Sequence, residues 1–489
     1  MKKRFILTID EGTTSVRVML YDTKRQKIKR VEREAVALKK PRPTWIEQDA
    51  KDIWEKTIAC LKKVMKGINP EKVHGLGIAN QRETIVAWKK DSGEPLCNAI
   101  NWNCRRTAKF CQENLVGDVA EEIREKTGLI PTSYFSATKI KWLLQNNNAV
   151  KAAYRANNLC IGTMETYLVY RLTNCRAFVT DVTNASRTML FNIHKGKWDK
   201  QLLELFGIPE KILAKPVAND AEVGTTTLLG GHIKVAGLIA DQQSSLLGQG
   251  CYKRANIKAT FGTGCFMMAH TGTKAYKGKN NTLVTIASEL KHETSYALEG
   301  TVFSGGILLG EALKNNIAHD FDELTKMAEK CEKTDIIIIP GMFGIGTPYW
   351  KMNTSMKVLN FKIDTPSDQI AKAVFETIAF RNLEVYEALS KDIKLSDTEP
   401  IHVDGGLSGN RHLMQMFADL TQKQIAVMNM ESTCMGAIIC TSLATGVYNS
   451  IAEVRFPVIK TYKPRTSPSA YQPNLTNFKK ALADYLAEK

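Results

Sequence analysis

Arg82 and Glu83 stand side by side just past the apolar run Leu76-Gly77-Ile78-Ala79, from which Asn80 and Gln81 separate them. Arg82 offers a rigid fork of N–H donors and Glu83 only acceptors, so the pair can pin neighbouring hydroxyls of a small neutral ligand. A surface ion pair at a strand end satisfies the same pattern. Asp241 is placed similarly, after the apolar run Val235 to Ala240 and before two amides, Gln242 and Gln243. A carboxylate there suits a general base, and it equally suits a helix cap. Two turns of small residues and hydroxyls complete the set: Asp10-Glu11-Gly12-Thr13-Thr14-Ser15, with Arg17 on the run beyond, and Gly262-Thr263-Gly264. Phosphoryl transfer asks a protein for a phosphate cradle, magnesium, and a carboxylate to accept the proton of the attacking hydroxyl. These residues can supply all three. Neither the GxxxxGK[ST] pattern nor the protein-kinase catalytic loop occurs, which disfavours both of those classes.

Short strands must carry these groups. Phe5 to Ile9 and Val16 to Tyr21 flank the first turn as a hairpin. Ala259-Thr260-Phe261 and Phe266-Met267-Met268 flank the second in the same manner, a hint of duplicated lobes around a cleft. Between them helical patterns alternate with short apolar strands, which indicates mixed α/β layers. Ile401-His402-Val403 runs into Asp404-Gly405-Gly406 and then a helical pattern through Leu413, Phe417 and Leu420. That arrangement suits close backbone approach to a nucleotide, or simply a tight turn that needs glycine. Thr365-Pro366-Ser367-Asp368 reads as a helix start with a capping hydroxyl and a proline in the first turn. The helix would carry Ile370, Val374, Ile378 and Leu389 on or near one apolar stripe.

A chain of 489 residues exceeds one compact core, so two domains are expected. With 44% hydrophobic and 24% charged residues and no low-complexity tract, the composition is that of a folded globular protein. The net charge of +17 permits attraction to polyanions. The densest basic stretch, Lys24 to Arg42, has no interleaved aromatic residue before Trp45 and reads as a solvated hairpin surface, so no nucleic-acid partner is expected. Eleven cysteines without a CxxC pair suggest reduced thiols and neither a disulfide framework nor a zinc site. The apolar stretch Phe5 to Ile9 is too short for a signal peptide, and no run is long enough to span a bilayer, so a cytoplasmic protein is expected.

The chain resembles the glycerol-phosphorylating branch of the FGGY carbohydrate kinase family, which shares the actin-like ATPase architecture. The similarity covers nearly the whole length. It runs through Asp10 to Ser15, Asn80 to Thr84, Asn98 to Trp102 with Cys104 to Thr107, Tyr134 to Lys139, and Asp181 to Leu190. It continues through Asp241-Gln242-Gln243, Phe261 to Phe266, Tyr296 to Gly300 and Asp404-Gly405-Gly406. The resemblance implies an α/β fold of two actin-like ATPase (ribonuclease-H-like) domains flanking a cleft. Residues 1–247 would bind glycerol, phosphate and Mg2+, and residues 248–489 would bind nucleotide. The implied activity is transfer of the γ-phosphate of ATP to glycerol, giving sn-glycerol 3-phosphate and ADP. A kinase for another small polyol or ketose, and a non-catalytic family member, are the alternatives.

By the same resemblance Arg82, Glu83, Tyr134, Asp241 and Gln242 would hold glycerol, with Trp102 and Phe266 walling its carbon face. One cation, two carboxylates, a phenol and two aromatic faces suit a short polyol on their own chemistry. Asp241 would be the base, and Asp10 would hold Mg2+ through water. Thr13, Thr14, Ser15, Arg17 and Thr263 would contact the phosphates, and Gly306, Gly406 and Asn410 match the nucleotide positions. Glu11 stands where members usually carry Gln, and Ala137 and Ala240 where they carry Gly. Gly310 replaces a glutamine that touches nucleotide, and Glu311 a tryptophan. After Gly346-Thr347-Pro348-Tyr349-Trp350, Lys351 replaces an aspartate, and Met356 and Asn360 replace glycines. These departures bear on nucleotide affinity, assembly and regulation more than on the chemistry. A homodimer or homotetramer is the assembly that the resemblance implies.

Overall fold

The computed structural model describes residues 3–428 and 431–488. Its first sheet begins with Phe5–Glu11 (β1), Ser15–Asp22 (β2) and Lys27–Ala35 (β3), continues with Val73–Asn80 (β4), and ends with Glu222–Thr226 (β5) and Ile233–Ala240 (β6). The spatial order is β5-β6-β4-β1-β2-β3. β1, β2 and β3 are antiparallel neighbours, whereas β4 and β6 run parallel to β1 and to each other. Every residue of β1 is buried, as expected for a strand covered on both faces. β3 closes one edge with alternating exposed and half-buried residues, and its lysines and arginines discourage pairing with another chain.

The second sheet repeats this plan. Ile257–Phe261 (β7) and Cys265–Gly272 (β8) form the second hairpin, joined by Leu283–Leu290 (β9) and Glu293–Val302 (β10). Ile401–Asp404 (β11) and Ile425–Met428 (β12) then run parallel to β7, and Val458–Tyr462 (β13) closes the edge. The order β9-β10-β8-β7-β11-β12-β13 matches the first sheet strand for strand, apart from the added β9. The duplication suggested by the two Gly/Thr turns is therefore a duplication of whole sheets, in the layout of an actin-like fold.

Helices cross between the two units. Asp241–Gly248 (α1) leaves β6 directly, and Ile307–Lys314 (α2) follows β10. Ser367–Asp392 (α3) and Arg411–Thr421 (α4) pack against each other, and α3 also lies against β8 and β10 of the second sheet. Ser432–Ala444 (α5) belongs to the second half of the sequence, yet it packs over β6, β4 and β1 and against α1. That crossing is close: a Cβ on Gly436 would stand 2.1 Å from the Ser244 carbonyl oxygen.

The expected start of α3 is corrected. Its N-cap is Pro366, and no side chain caps it. The Thr365 hydroxyl accepts instead from the Lys362 N–H at 2.8 Å, closing the turn before the helix. Val374, Ile378 and Leu389 are buried, whereas Ile370 is half-buried. From Ala373 to Val385 the helix is enclosed on every side, and Arg381 and Glu384 pair with each other inside it, so its burial is a sleeve rather than a stripe. Among the described residues, no helix is long and apolar enough to cross a membrane.

Candidate active site

The parallel strands of each sheet carry candidate residues at or just past their C-terminal ends, Asn80 of β4, Ala240 of β6 and Asp404 of β11. β4 delivers Gln81, Arg82 and Glu83. The Gln81 N–H donates to the Glu11 carbonyl at 2.6 Å, and the Thr84 N–H donates back to the Arg82 carbonyl at 2.7 Å. That three-residue turn places Glu83 at φ 60°, a conformation that L residues rarely adopt and that surrounding contacts must hold. The Ser136 hydroxyl donates to the Glu83 carbonyl at 3.2 Å, and Arg187 Nε donates to Glu83 Oε1 at 2.7 Å. Arg82 and Glu83 are at most 2% exposed, so they are not a surface ion pair.

β6 delivers Asp241 as the first residue of α1, where it does not serve as the N-cap. Its Oδ1 lies 3.5 Å from Arg82 Nε, and its side chain keeps 26% exposure to the cleft. Tyr134 Oη accepts from Arg82 Nη2 at 3.2 Å. The Trp102 ring centroid lies 5.7 Å from that of Tyr134 and 6.2 Å from that of Phe266, and the Arg82 guanidinium stands 5.8 Å from the Phe266 centroid. Arg82, Glu83, Trp102, Tyr134, Asp241 and Phe266 thus converge on one pocket. Gln242 turns its amide oxygen toward Lys258 Nζ, which donates to it. An ammonium has no acceptor, so the Gln242 oxygen must face it and the NH2 group points elsewhere.

The phosphate turns sit beside this pocket. In the first, the Gly12 N–H donates to the Ser15 carbonyl at 2.9 Å, and Arg17 pairs with Asp10 and with Glu431 Oε2 at 3.3 Å. Trp102 Nε1 donates to the Thr13 hydroxyl at 2.8 Å, joining the aromatic wall to the turn. The Thr14 carbonyl accepts from Val36 N–H at 2.8 Å. In the second turn the Gly262 N–H donates to the Gly264 carbonyl at 3.0 Å, and Gly305 N–H donates to the Thr263 carbonyl at 2.9 Å. Gly306 starts α2, and a Cβ there would meet Leu407, next to Gly406, at 3.3 Å, so these nucleotide candidates adjoin. Gly405 has φ 89°, and a Cβ on it would stand 2.5 Å from the Phe261 carbonyl, which only glycine tolerates. Asn410 is already employed: its Oδ1 caps α4 through Leu413 N–H at 2.9 Å, and its Nδ2 donates to Thr325 at 2.8 Å.

Gly310 opens a gap, since a Cβ there would meet nothing within 4 Å. Asn360 has φ 61°, the left-handed conformation that asparagine tolerates better than most residues.

Three charged groups escaped sequence reasoning: Glu299, Arg187 and Lys258. Glu299 Oε2 and Oε1 accept from Arg82 Nη1 at 2.5 Å and Nη2 at 2.9 Å, and Arg187 Nη2 donates to Glu299 Oε1 at 3.1 Å. Arg187 and Glu299 fall within the resemblance segments Asp181 to Leu190 and Tyr296 to Gly300, which gave them no role, and Lys258 falls in none.

Enclosure sets the proton affinities. Burial pushes the Asp241 carboxyl up to about 6, with Arg82 and Lys258 pulling it back and Glu83 and Asp10 adding to the rise. Burial alone would raise Glu299, but Arg187 and Arg82 outweigh it and hold it down at about 2. Burial would likewise lower Arg82, and Glu299, Tyr134 and Glu83 overcome it. Burial raises Glu11 well above the usual carboxylate range; Gln81 opposes the rise, and Asp10 and Asp241 add to it. Lys258 is lowered to about 8, chiefly by burial. Among the described residues, no group of three or more His, Cys, Asp or Glu side chains is placed to hold a metal ion.

Residues 5–248 match the sequence pattern of the FGGY family of carbohydrate kinases, N-terminal domain, and residues 257–445 match that of its C-terminal domain. The chain is 38% identical over 462 residues to glycerol kinase 2 of Thermotoga maritima, covering 92% of each protein. It is 39% identical over 459 residues to a glycerol kinase of Shewanella frigidimarina, covering 93% of this chain and 92% of that protein. Among solved structures it is similar to Plasmodium falciparum glycerol kinase with ADP, at a TM-score of 0.88 and 29% identity over 99% of both chains. A xylulose kinase from Lactobacillus acidophilus has the same fold, at a TM-score of 0.87 and 21% identity over 99% of both chains.

Proposed function

The chain belongs to the FGGY family of carbohydrate kinases, and we propose that it transfers the γ-phosphoryl group of ATP to a terminal hydroxyl of glycerol, giving sn-glycerol 3-phosphate and ADP. One observation carries the reading: Arg82 Nε lies 3.5 Å from Asp241 in a pocket walled by Trp102, Tyr134 and Phe266. A three-carbon polyol presents hydroxyls to that cation and carboxylate and its carbon face to the rings. Larger sugars need the room that Trp102 occupies. The relatives named above, all glycerol kinases among those over 25% identical, support the same substrate.

In this mechanism Arg82, Glu83, Tyr134 and Gln242 orient glycerol, and Asp241 takes the proton of the terminal hydroxyl as that oxygen attacks the γ-phosphorus. The bond from the γ-phosphorus to the bridging oxygen breaks, and ADP carries away the electron pair. Catalysis of this kind rests on positioning and on electrostatic stabilisation of the transferring group. Thr13, Thr14, Ser15, Arg17 and Thr263 hold the phosphates, and Gly306, Gly406 and Asn410 line the nucleotide. Asp10 and Asp241 are close enough for Asp10 to raise the Asp241 carboxyl, and two neighbouring carboxylates suit a divalent cation arriving with the nucleotide. Asp10 would hold Mg2+ through water, and the ion would offset charge on the β- and γ-phosphates.

The same reading assigns residues 1–247 to glycerol, phosphate and Mg2+ binding and 248–489 to nucleotide binding. A cytoplasmic location fits eleven free cysteines. A homodimer or homotetramer is the assembly we expect.

The test is ADP release with ATP and Mg2+ across glycerol, dihydroxyacetone, xylulose, ribulose and gluconate, with Asp241→Asn as control. Turnover of glycerol that vanishes in the variant is the expected result. A preference for a pentulose would replace glycerol with a ketose, and glycerol binding without turnover would mark a non-catalytic member.

A further inference from the structure

We propose that Glu299 is a positioning residue for the polyol site: from the second sheet it clamps the end of the Arg82 guanidinium and so turns the Nε–Nη2 edge of Arg82 toward the substrate. The inference rests on the polyol-kinase reading above and adds to it a residue from the opposite lobe.

The geometry is that of an end-on fork. Glu299 accepts from both terminal nitrogens of Arg82, at 2.5 and 2.9 Å. That leaves the lateral edge, where Nε lies 3.5 Å from Asp241 Oδ1 and Nη2 also donates to Tyr134 Oη at 3.2 Å. A guanidinium held by two parallel bonds has little freedom to rotate. Arg187 completes a ring: it donates to Glu299 at 3.1 Å and to Glu83 at 2.7 Å, and Glu83 Oε1 lies 3.8 Å from Arg82 Nε. Two arginines and two glutamates balance in charge, and none of the four is more than 2% exposed. Removing one member of so buried a group leaves its partners uncompensated.

Without Glu299, the anions left beside Arg82 are Asp241 and Glu83, 3.5 and 3.8 Å from its Nε, and Glu83 is already taken by Arg187. Arg82 would then swing onto the carboxylate that must meet the substrate hydroxyl. The register of the second sheet adds a reason for the clamp to come from that side. Phe266 pairs with Thr301 and Met268 with Glu299, so Phe266 and Glu299 share one sheet face. One face of the second sheet therefore supplies both an aromatic wall and the clamp, and the pocket is complete only when the two sheets are docked.

The test is steady-state kinetics of Glu299→Gln, Glu299→Asp and the charge-balanced double variant Arg187→Met with Glu299→Met, using whichever polyol of the substrate panel the wild type accepts. Thermal unfolding serves as the fold control, and calorimetric Kd replaces KM where turnover is absent. We expect KM for the polyol to rise at least ~10-fold in Glu299→Gln, with KM for ATP held within about twofold and Glu299→Asp intermediate. The double variant keeps the test alive if Glu299→Gln fails to fold, and it should show the same split between the two substrates. An unchanged polyol KM overturns the proposal, as does a loss of both affinities in step with the unfolding midpoint. Wild-type turnover of a pentulose in place of glycerol overturns the glycerol reading alone, and a wild type that binds no polyol overturns both.

Discussion

Enclosure raises the Asp241 carboxyl to about 6, so near neutral pH it is ionised yet basic enough to draw a proton from an alcohol in the transition state. As the proposed base the group must be deprotonated to act, so activity is lost as pH falls through its pKa. We predict that kcat/KM for glycerol falls roughly tenfold per unit below about pH 6. Asp241→Asn keeps the shape and removes the base, and it should lower kcat by about 10^2 to 10^4 while ATP still binds. Profiles of kcat/KM against pH for wild type and variant check both statements. A wild-type profile flat across this range would remove Asp241 from the role.

At the scale of elements, the strand ends and hairpins were readable because their signals are local. An apolar run that breaks at a charged residue, or at a Gly/Thr turn, says where a strand stops without reference to the rest of the chain. β4 with Arg82, β6 with Asp241 and the β7–β8 turn were found this way. Contacts between distant segments were not readable. Glu299 meets Arg82 across 217 positions, and nothing in either segment names the other. Thr365 misled for a local reason, since its hydroxyl is taken by Lys362 N–H and Pro366 occupies the cap position. The crossing of α5 over α1 was also invisible, because it depends on a small residue facing a backbone carbonyl. It carries a prediction. A Cβ on Gly436 would stand 2.1 Å from the Ser244 carbonyl oxygen, so Gly436→Ala must push α1 aside. We expect a destabilisation of about 1–3 kcal/mol. Because α1 begins at Asp241, kcat should fall at least several-fold with it. Thermal melts and single-substrate kinetics check this, and a variant with wild-type melting and kcat would show that the crossing relaxes freely.

At the scale of the whole molecule, the two sheets are joined by charges that respond to pH and to ligands. Glu299 sits at about 2 in the fold, against an ordinary value of 4.5. Its folded pKa is depressed, so its contribution to stability is present above about 4.5 and is lost as pH falls from there toward 2. Glu165, buried within the first lobe where it accepts from Asn80 and Thr180, is raised to about 7 chiefly by burial and works in the opposite sense: its contribution is complete at acid pH and is lost as pH rises through 7. Comparing the unfolding midpoints of wild type and Glu299→Gln between about pH 5 and 3 isolates the first term. The two curves should converge toward the acid end, and a constant gap would mean that Glu299 is not linked to acid unfolding. Bridges between the lobes include the Arg17 pair with Glu431 beside the first turn. Arg82 also joins Glu299, and Arg105 Nη1 donates to the Met352 carbonyl at 2.8 Å. For the proposed transfer the lobes must part to admit ATP and close to keep water from the γ-phosphate, or hydrolysis would compete with transfer. On the proposed reading glycerol binds to the first lobe and nucleotide to the second, so each ligand alone fills only part of what closure buries. Small-angle scattering should show the radius of gyration falling most when glycerol and a non-hydrolysable ATP analogue are present together, and less with either alone. Glu299→Gln, which loosens the Arg82 bridge between the lobes, should blunt the response to glycerol while leaving that to nucleotide intact. Curves that both ligands leave unchanged would mean that the lobes are already fixed in the geometry of transfer, and substrate entry would then need a route other than lobe opening.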